Sequence, residues 1–272
     1  TSIYTYNHHP RYIVNQMGLR NKVGILSEAF AHDRLYERMN GTYGFVAEIL
    51  EFTHTNGKKM AAINDQAEKD AINNVINNAG KVEKGVRFKM VALDKKNENY
   101  RTYDYIPYIN SKGEKNYYRL GKIIDVPNVT NLSKFDATVT TTLPRGYFLP
   151  KSMKSIVDHL RKQGIKVTEL KNRKKATGEV FMIEKFTIAK RKFEGHNMAT
   201  VDGKYVTKNQ TFKKGDYWID MAQPLTNLAF YMLEPQSDDG LVSWNFFDDY
   251  LKSQGIETKS VEYPVFKYYS VK

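Results

Sequence analysis

The sequence has 272 residues and no cysteine, which excludes disulfide bridges, thiolate zinc sites, iron–sulfur clusters and cysteine nucleophiles. No apolar run reaches the roughly 18–20 residues that a membrane-spanning helix needs. The chain opens with neither a methionine nor a signal-peptide pattern, which predicts a processed product or a part of something longer. Its 19 tyrosines and 14 phenylalanines are ample for a buried core, so we expect a folded protein.

The common catalytic signatures are also missing. There is no His-Glu-x-x-His, no His-x-x-Glu, no Gly-x-Ser-x-Gly, no phosphate loop and no dinucleotide fingerprint. Of the six histidines only His8 and His9 are adjacent, and neighbouring side chains diverge, so ordinary histidines are favoured over metal ligands there. We therefore predict no metal site made by this chain.

Basic residues are abundant and unevenly spread. The chain carries 42 Lys plus Arg against 30 Asp plus Glu, and residues 151–200 alone hold 13 basic and 5 acidic side chains. One interpretation of this surplus, which includes Lys171, Arg173, Lys174 and Lys175, is that it binds successive phosphates of a nucleic-acid backbone. The other is a solvated strand edge whose charges block edge-to-edge pairing with another sheet. No nucleic-acid-binding motif accompanies the charge, so we favour the second interpretation and do not expect a nucleic-acid partner.

The first 80 residues show an α/β pattern. Residues 23–26 form a short, nearly continuous apolar run, which is typical of a strand buried on both faces of a sheet. Apolar residues at three- and four-residue steps predict a helix over 33–50 and a second one over 60–78. The break at Asn56-Gly57 between them predicts a helical hairpin.

From about residue 85 the hydrophobic period changes to two, which predicts strands. We expect strands over 86–93, 100–126, 135–142, 145–149, 165–170, 179–193, 197–206, 217–220 and 263–271, with helices over 150–160, 224–233 and 244–251. The predicted fold class is α+β. We expect two domains, over residues 1–80 and 81–272.

Glu28 is the one carboxylate whose position suggests chemistry. It follows the predicted strand, and ligand sites in open α/β sheets lie along the carboxyl edge of the strands. A partly desolvated carboxylate there is suited to take a proton from a water. The alternative is an ion pair between Glu28 and Arg20 or Arg34, which spacing alone favours.

Several segments resemble the zinc carboxypeptidases of the carboxypeptidase A-like family, in their larger bacterial form. The segments that carry the resemblance are Pro10-Arg11-Tyr12, Met17 to Phe30, Pro144 to Pro150, Glu194-Gly195-His196, Met221 to Leu225, Leu233 to Asp239 and Trp244 to Asp248. The resemblance implies a remnant of the catalytic α/β sheet with its last helix, followed by a β-rich α+β accessory module. It also implies an exported enzyme, periplasmic or extracellular, that hydrolyses C-terminal peptide bonds.

The same resemblance assigns roles to four residues. Glu28 matches the general base, and zinc is expected in the full-length enzyme. The family's zinc ligands lie upstream of the base, whereas only 27 residues precede Glu28 here and none forms His-x-x-Glu. The resemblance therefore implies a C-terminal fragment that needs its upstream catalytic half, binds no zinc and is inactive alone.

Arg20 offers a bidentate contact to a substrate carboxylate, or a salt bridge that supports the strand. Tyr12 and Tyr6 are candidates for a tyrosine that closes over the peptide substrate, or for loop packing.

A different class of function is also compatible with the sequence. Tyrosines recur along the predicted strands at positions 100, 103, 105, 108, 117 and 118. They favour either a non-catalytic peptide- or glycan-binding accessory module or ordinary cross-strand packing, and we prefer the packing interpretation.

Overall fold

The computed structural model describes residues 1–31, 33–94 and 98–271, excluding the side chain of residue 271. The chain forms two compact units. Unit 1 comprises Thr1–His8 and Phe88–Ala137, and unit 2 comprises His9–Arg87 and Thr138–Lys272. Helices and strands are mixed, which confirms the α+β class. These units do not coincide with the two predicted domains, residues 1–80 and 81–272. That division of the chain into domains stays a prediction.

The described residues contain twelve strands and five α-helices. The strands β1–β12 are Ser2–Tyr4, Glu83–Val91, Glu98–Ile109, Lys115–Leu132, Lys134–Thr142, Gly146–Leu149, Thr168–Glu169, Lys174–Ile188, Ala199–Phe212, Tyr217–Asp220, Val261–Glu262 and Phe266–Val271. The helices α1–α5 are Ile13–Leu19, Leu35–Asn78, Lys154–Lys162, Thr226–Leu233 and Asp248–Ser253. None of these helices is long and apolar enough to cross a membrane.

Unit 1 is built on the antiparallel hairpin of β3 and β4, with β1 added parallel to β4. The turn is fixed by Asn110, whose side-chain oxygen accepts hydrogen bonds from the backbone N–H groups of Lys112 and Glu114 at 2.9 Å. Gly113 has φ +77°, a conformation that glycine adopts without strain. The turn predicted at residues 111–113 is confirmed.

Unit 2 holds the main core. Its large sheet has the order β11-β8-β12-β6-β10-β7, and β9 pairs with β8. All four residues of β6 are buried, as expected for a central strand. Helix α3 packs Ile156, Val157 and Leu160 into this core, and Gly164, with φ +86°, follows its end. The strand–helix–strand order predicted over residues 145–170 is confirmed.

An ion pair lies inside this core. Glu234 and Lys267 have side chains that are each 1% exposed, and the Lys267 Nζ atom is 3.1 Å from Glu234 Oε1. Tyr147 donates a 2.6 Å hydrogen bond to the same carboxylate, Tyr205 donates another, and Lys267 also donates to Thr141 Oγ1 at 2.6 Å. Burial raises the pKa of Tyr147 and Tyr205 well above the usual range, and the Glu234 charge adds to it. Both phenols therefore stay protonated donors.

The predicted strand at residues 23–26 is wrong for this chain. Residues 22–30 form no helix or strand, and Val23, Ile25 and Leu26 are 53%, 50% and 54% exposed. A strand needs a neighbour to pair its backbone groups, and the described residues offer this segment none. Without a sheet there is no buried strand end, so Glu28 does not lie at a sheet edge.

The predicted helical hairpin is also wrong. Helix α2 runs through Asn56 and Gly57 as one helix of 44 residues, about 66 Å long at 1.5 Å per residue. Glycine inside a helix costs about 1 kcal/mol relative to alanine, which is too little to stop a helix with many favourable residues on both sides. Asn56 instead donates a 3.0 Å hydrogen bond to the Phe52 carbonyl oxygen within the helix.

Helix α2 exposes most of its large apolar side chains. Only Val75, near its C-terminal end, is buried. The exposed apolar residues of α2 are Leu35, Tyr36, Met39, Tyr43, Phe45, Val46, Leu50, Phe52, Ile63 and Ile76. The exposed apolar side chains of α2 from Leu35 to Phe52, together with residues 23–26, form what we call the open segment, residues 22–31 and 33–52. Exposed apolar surface of this extent marks an interaction surface in a soluble protein.

Candidate functional site

Glu28 lies in the open segment, on the loop that leads into α2. Its carboxylate is exposed and makes no hydrogen bond or ion pair with any described residue. The loop and the first turns of α2 border a cavity of about 400 Å³. Its lining includes Ser27, Glu28, Glu37, Arg38 and Phe45. Glu28 is thus available to a ligand or a partner surface.

The neighbouring charges are engaged locally. Glu37 accepts a 3.1 Å hydrogen bond from the Arg34 backbone N–H, which satisfies one open donor at the start of α2. Arg38 donates to the Ala31 carbonyl oxygen at 3.5 Å. Neither Arg20 nor Arg34 forms an ion pair with Glu28 in the described part of the chain, so that alternative for Glu28 is wrong.

Arg20 binds the end of helix α3. Its Nη1 donates to the Gln163 carbonyl oxygen at 2.9 Å, and its Nη2 donates to the Gln163 side-chain oxygen. A cation at a helix C-terminus is favourable because unpaired carbonyl groups give that end a partial negative charge. Among the described residues, Arg20 therefore has these neutral acceptors instead of the predicted salt bridge, and residues 23–26 form no strand for it to support.

Arg11 is the strongest anchor of the N-terminal segment, and the sequence interpretation did not assign it a role. Its backbone N–H and its Nε each donate to the Asp239 carboxylate at 2.9 Å. Its guanidinium lies 4.4 Å from the ring centre of Phe193 and 4.8 Å from that of Trp244. Trp244 in turn donates to Asp239 at 2.9 Å. The Asp239 side chain is 1% exposed, so this ion pair is shielded from water.

A second set of contacts fixes the chain just before the open segment. Asn21 donates to the Pro224 carbonyl oxygen at 2.8 Å, and Lys22 pairs with Glu68 of α2 at 2.7 Å. With Arg11 and Arg20, these contacts hold residues 11–22 on the core of unit 2. The loop that carries Glu28 therefore leaves from a fixed point, although the loop itself is open.

The two tyrosine candidates are in different surroundings. Tyr12 precedes α1, and its carbonyl oxygen accepts a 2.9 Å hydrogen bond from the Gln16 N–H, while its side chain is partly exposed. Tyr6 belongs to unit 1 and is 44% exposed. The substrate-closing role of Tyr6 and Tyr12 stays a prediction, as does the substrate-binding role of Arg20.

A second cavity, of about 430 Å³, lies beside the Arg11 anchor in unit 2. Its walls include Ile13, His159, Leu228, Trp244 and Phe246. Burial lowers the pKa of His159, which favours a neutral ring at pH 7. Arg11 and Asp239 at its edge are already paired with each other, so the cavity is mainly a packing feature.

Sequence comparisons relate the chain to carboxypeptidases over part of its length. Carboxypeptidase 2 of Trichophyton tonsurans is 32% identical over 108 residues, which are 40% of this chain and 20% of that protein. Carboxypeptidase 2 of Trichophyton rubrum is 29% identical over 129 residues, 43% of this chain and 24% of that protein. A probable carboxypeptidase 2 of Arthroderma benhamiae is 30% identical over 124 residues, 41% of this chain and 24% of that protein.

The chain thus matches less than a quarter of the length of these relatives, and they are fungal rather than bacterial. No protein-family model and no solved structure matches it.

Proposed function

We propose that this chain is the C-terminal part of a zinc-dependent metallocarboxypeptidase, in which Glu28 is the general base. The similarity to carboxypeptidases supports the general activity. The observation that carries the proposal further is the open segment, where a loop and a long helix leave apolar side chains uncovered around a carboxylate that pairs with no described residue. Such a segment suits one edge of a catalytic domain whose other part lies upstream.

The proposal assigns zinc binding and proton transfer to different parts of the enzyme. The resembling family holds zinc through residues upstream of the general base, so zinc binding belongs to the upstream half in this proposal. Glu28 accepts a proton from the attacking water as the oxygen–carbon bond forms. It then gives the proton to the leaving amine as the carbon–nitrogen bond breaks. The substrate is a peptide with a free C-terminus, and export of the enzyme is part of the proposal.

Arg11, Arg20 and Asn21 act on the position of Glu28 in this scheme. They fix residues 11–22 to the core of unit 2, which makes that core a support for the base. A base that is misplaced by about 1 Å loses much of its effect, because proton transfer needs hydrogen-bond distance.

The proposal is tested with the chain alone and with the longer protein that the proposal requires, read from the coding sequence upstream of Thr1. We expect the longer protein to contain His-x-x-Glu and a later histidine, to bind about one zinc ion and to release C-terminal residues from blocked dipeptides. We expect no release by the chain alone, because it holds the base without the metal. Turnover by the chain alone, or a longer protein without zinc and without peptidase activity, contradicts the proposal.

A second candidate function, a non-catalytic binding surface, is favoured by unit 1. The tyrosines at positions 100, 103, 105, 108, 117 and 118 are all between 39% and 67% exposed. Cross-strand packing accounts for some of them, since Arg119 lies 4.7 Å above the ring of Tyr103 and Tyr103 pairs with Ile123. If the longer protein keeps full peptidase turnover without residues 98–126, unit 1 serves binding rather than catalysis.

A further inference from the structure

Seven basic side chains from three separate segments meet at one end of the large sheet of unit 2. One follows β6, at residue 151. Four come from the loop between β7 and β8 and from the first residues of β8, and two come from the turn after β9. The members of this basic cluster are Lys151, Lys171, Arg173, Lys174, Lys175, Lys213 and Lys214. Six of the seven are exposed, and Lys174 is partly buried.

Backbone hydrogen bonds bring the three segments together. The Leu170 N–H donates to the Asp216 carbonyl oxygen at 2.8 Å, and the Gly215 N–H donates to the Leu170 carbonyl oxygen at 2.9 Å. The Lys151 N–H donates to the Asp216 carboxylate at 2.9 Å. In addition, Lys174 pairs with Phe212 in the β8–β9 register. The cluster is therefore a property of the fold and not only of sequence composition.

Acidic side chains of the same segments do little to neutralise the positive charge of the basic cluster. None of its seven members forms an ion pair with another described residue. Two carboxylates lie in the same segments, Glu169 and Asp216. The Asp216 oxygens accept hydrogen bonds from the Lys151 and Lys213 backbone N–H groups, at 2.9 and 2.7 Å, so they serve the turn. Lys174 is directed over the ring of Trp218, 4.4 Å from its centre.

We propose, contrary to the expectation from sequence, that the basic cluster binds the phosphodiester backbone of a nucleic-acid strand, a property that does not depend on the peptidase proposal. Closely spaced phosphates match closely spaced cations, and their neutralisation releases counterions. The cluster's segments contribute no exposed large apolar side chain, which argues against insertion into a membrane. Six of the seven cations are lysines, which act as point charges and therefore bind phosphates by charge rather than by bidentate geometry.

The test uses this chain and a labelled 20-nucleotide oligo-dT, with binding followed by fluorescence anisotropy between 50 and 200 mM salt. We expect saturable binding whose affinity falls with salt. The triple variant Lys171→Glu, Arg173→Glu, Lys175→Glu is expected to weaken binding at least tenfold and to reduce the slope of log affinity against log salt by about 2, or about 0.7 per lost contact. A second variant with glutamine at the same three positions should show the same direction with a smaller loss.

The matched control reverses three exposed lysines of α2, in the triple variant Lys58→Glu, Lys59→Glu, Lys69→Glu, which changes the net charge by the same amount. We expect it to weaken binding less than twofold. Equal weakening by both triple variants would show that net charge alone drives binding and would overturn the proposal. Binding to vesicles of anionic phosphatidylglycerol or to polyglutamate, without binding to oligo-dT, would overturn it as well.

Discussion

In the longer protein that we propose, Glu28→Gln is expected to lower kcat by about 10²–10⁴-fold with little change in KM. Glutamine keeps the size of the side chain but cannot accept the proton from the attacking water. Glu28 makes no ion pair with a described residue, so its loss should not destabilise the fold of this chain. Steady-state kinetics on a blocked dipeptide, with zinc content measured in parallel, provide the test.

Glu257→Gln is the matched control for this variant. Glu257 is another exposed glutamate of unit 2, outside the open segment, and we expect kcat to stay within about twofold of the wild-type value. A Glu28→Gln enzyme with wild-type kcat would reject Glu28 as the general base, and would leave the similarity to carboxypeptidases without a catalytic residue in this chain.

Lys267→Met is expected to lower the free energy of unfolding by about 3–5 kcal/mol. The change removes the cation that pairs with Glu234 and leaves a carboxylate in a site that is 1% exposed. The donors Tyr147 and Tyr205 remain, but two neutral hydrogen bonds do not replace a buried counter-charge. Urea denaturation of the chain, followed by circular dichroism, measures the effect.

Lys208→Met provides the exposed comparison. Lys208 and Glu262 form an ion pair at 2.7 Å with both side chains about 40% exposed, and such pairs contribute about 1 kcal/mol or less. The double variant Lys267→Met, Glu234→Gln leaves no buried charge and should cost less than Lys267→Met alone. Equal losses for Lys267→Met and Lys208→Met would contradict the account of the core ion pair.

The parts of the fold that depend on local pattern were predictable. Helix α3, with Ile156, Val157 and Leu160 on one face, and the turn around Gly113 both follow from residue spacing and turn chemistry. Helix α4 likewise begins just after Pro224 and ends before Pro235, as its prolines predict. In each case the residues that decide the structure are neighbours in sequence.

The N-terminal part could not be predicted in the same way. An apolar run such as residues 23–26 becomes a strand only where another strand pairs with it, and the described residues supply none. The Asn56-Gly57 pair is a turn signal in an extended context, whereas a helix already formed on both sides continues through it at a cost of about 1 kcal/mol.

The contacts that hold the candidate site in place could not be predicted from the sequence either. Arg11 and Asp239 are 228 positions apart, and Arg20 and Gln163 are 143 apart, so only the tertiary fold brings each pair together. Glu28 was singled out by its position after a predicted strand that the structure does not contain, and by the resemblance. Glu28 is exposed and pairs with no residue that the structure describes, and its role stays a prediction.

Hydrogen exchange of the backbone amides at residues 23–28 tests the account most directly, in the chain alone and in the longer protein. We expect nearly unprotected amides in the chain alone, and at least about 100-fold slower exchange in the longer protein, because a catalytic sheet then pairs this segment. The amides of β6, Gly146–Leu149, should be protected in both and serve as the internal control. Unchanged, rapid exchange at residues 23–28 in the longer protein would contradict the claim that the open segment completes a catalytic domain.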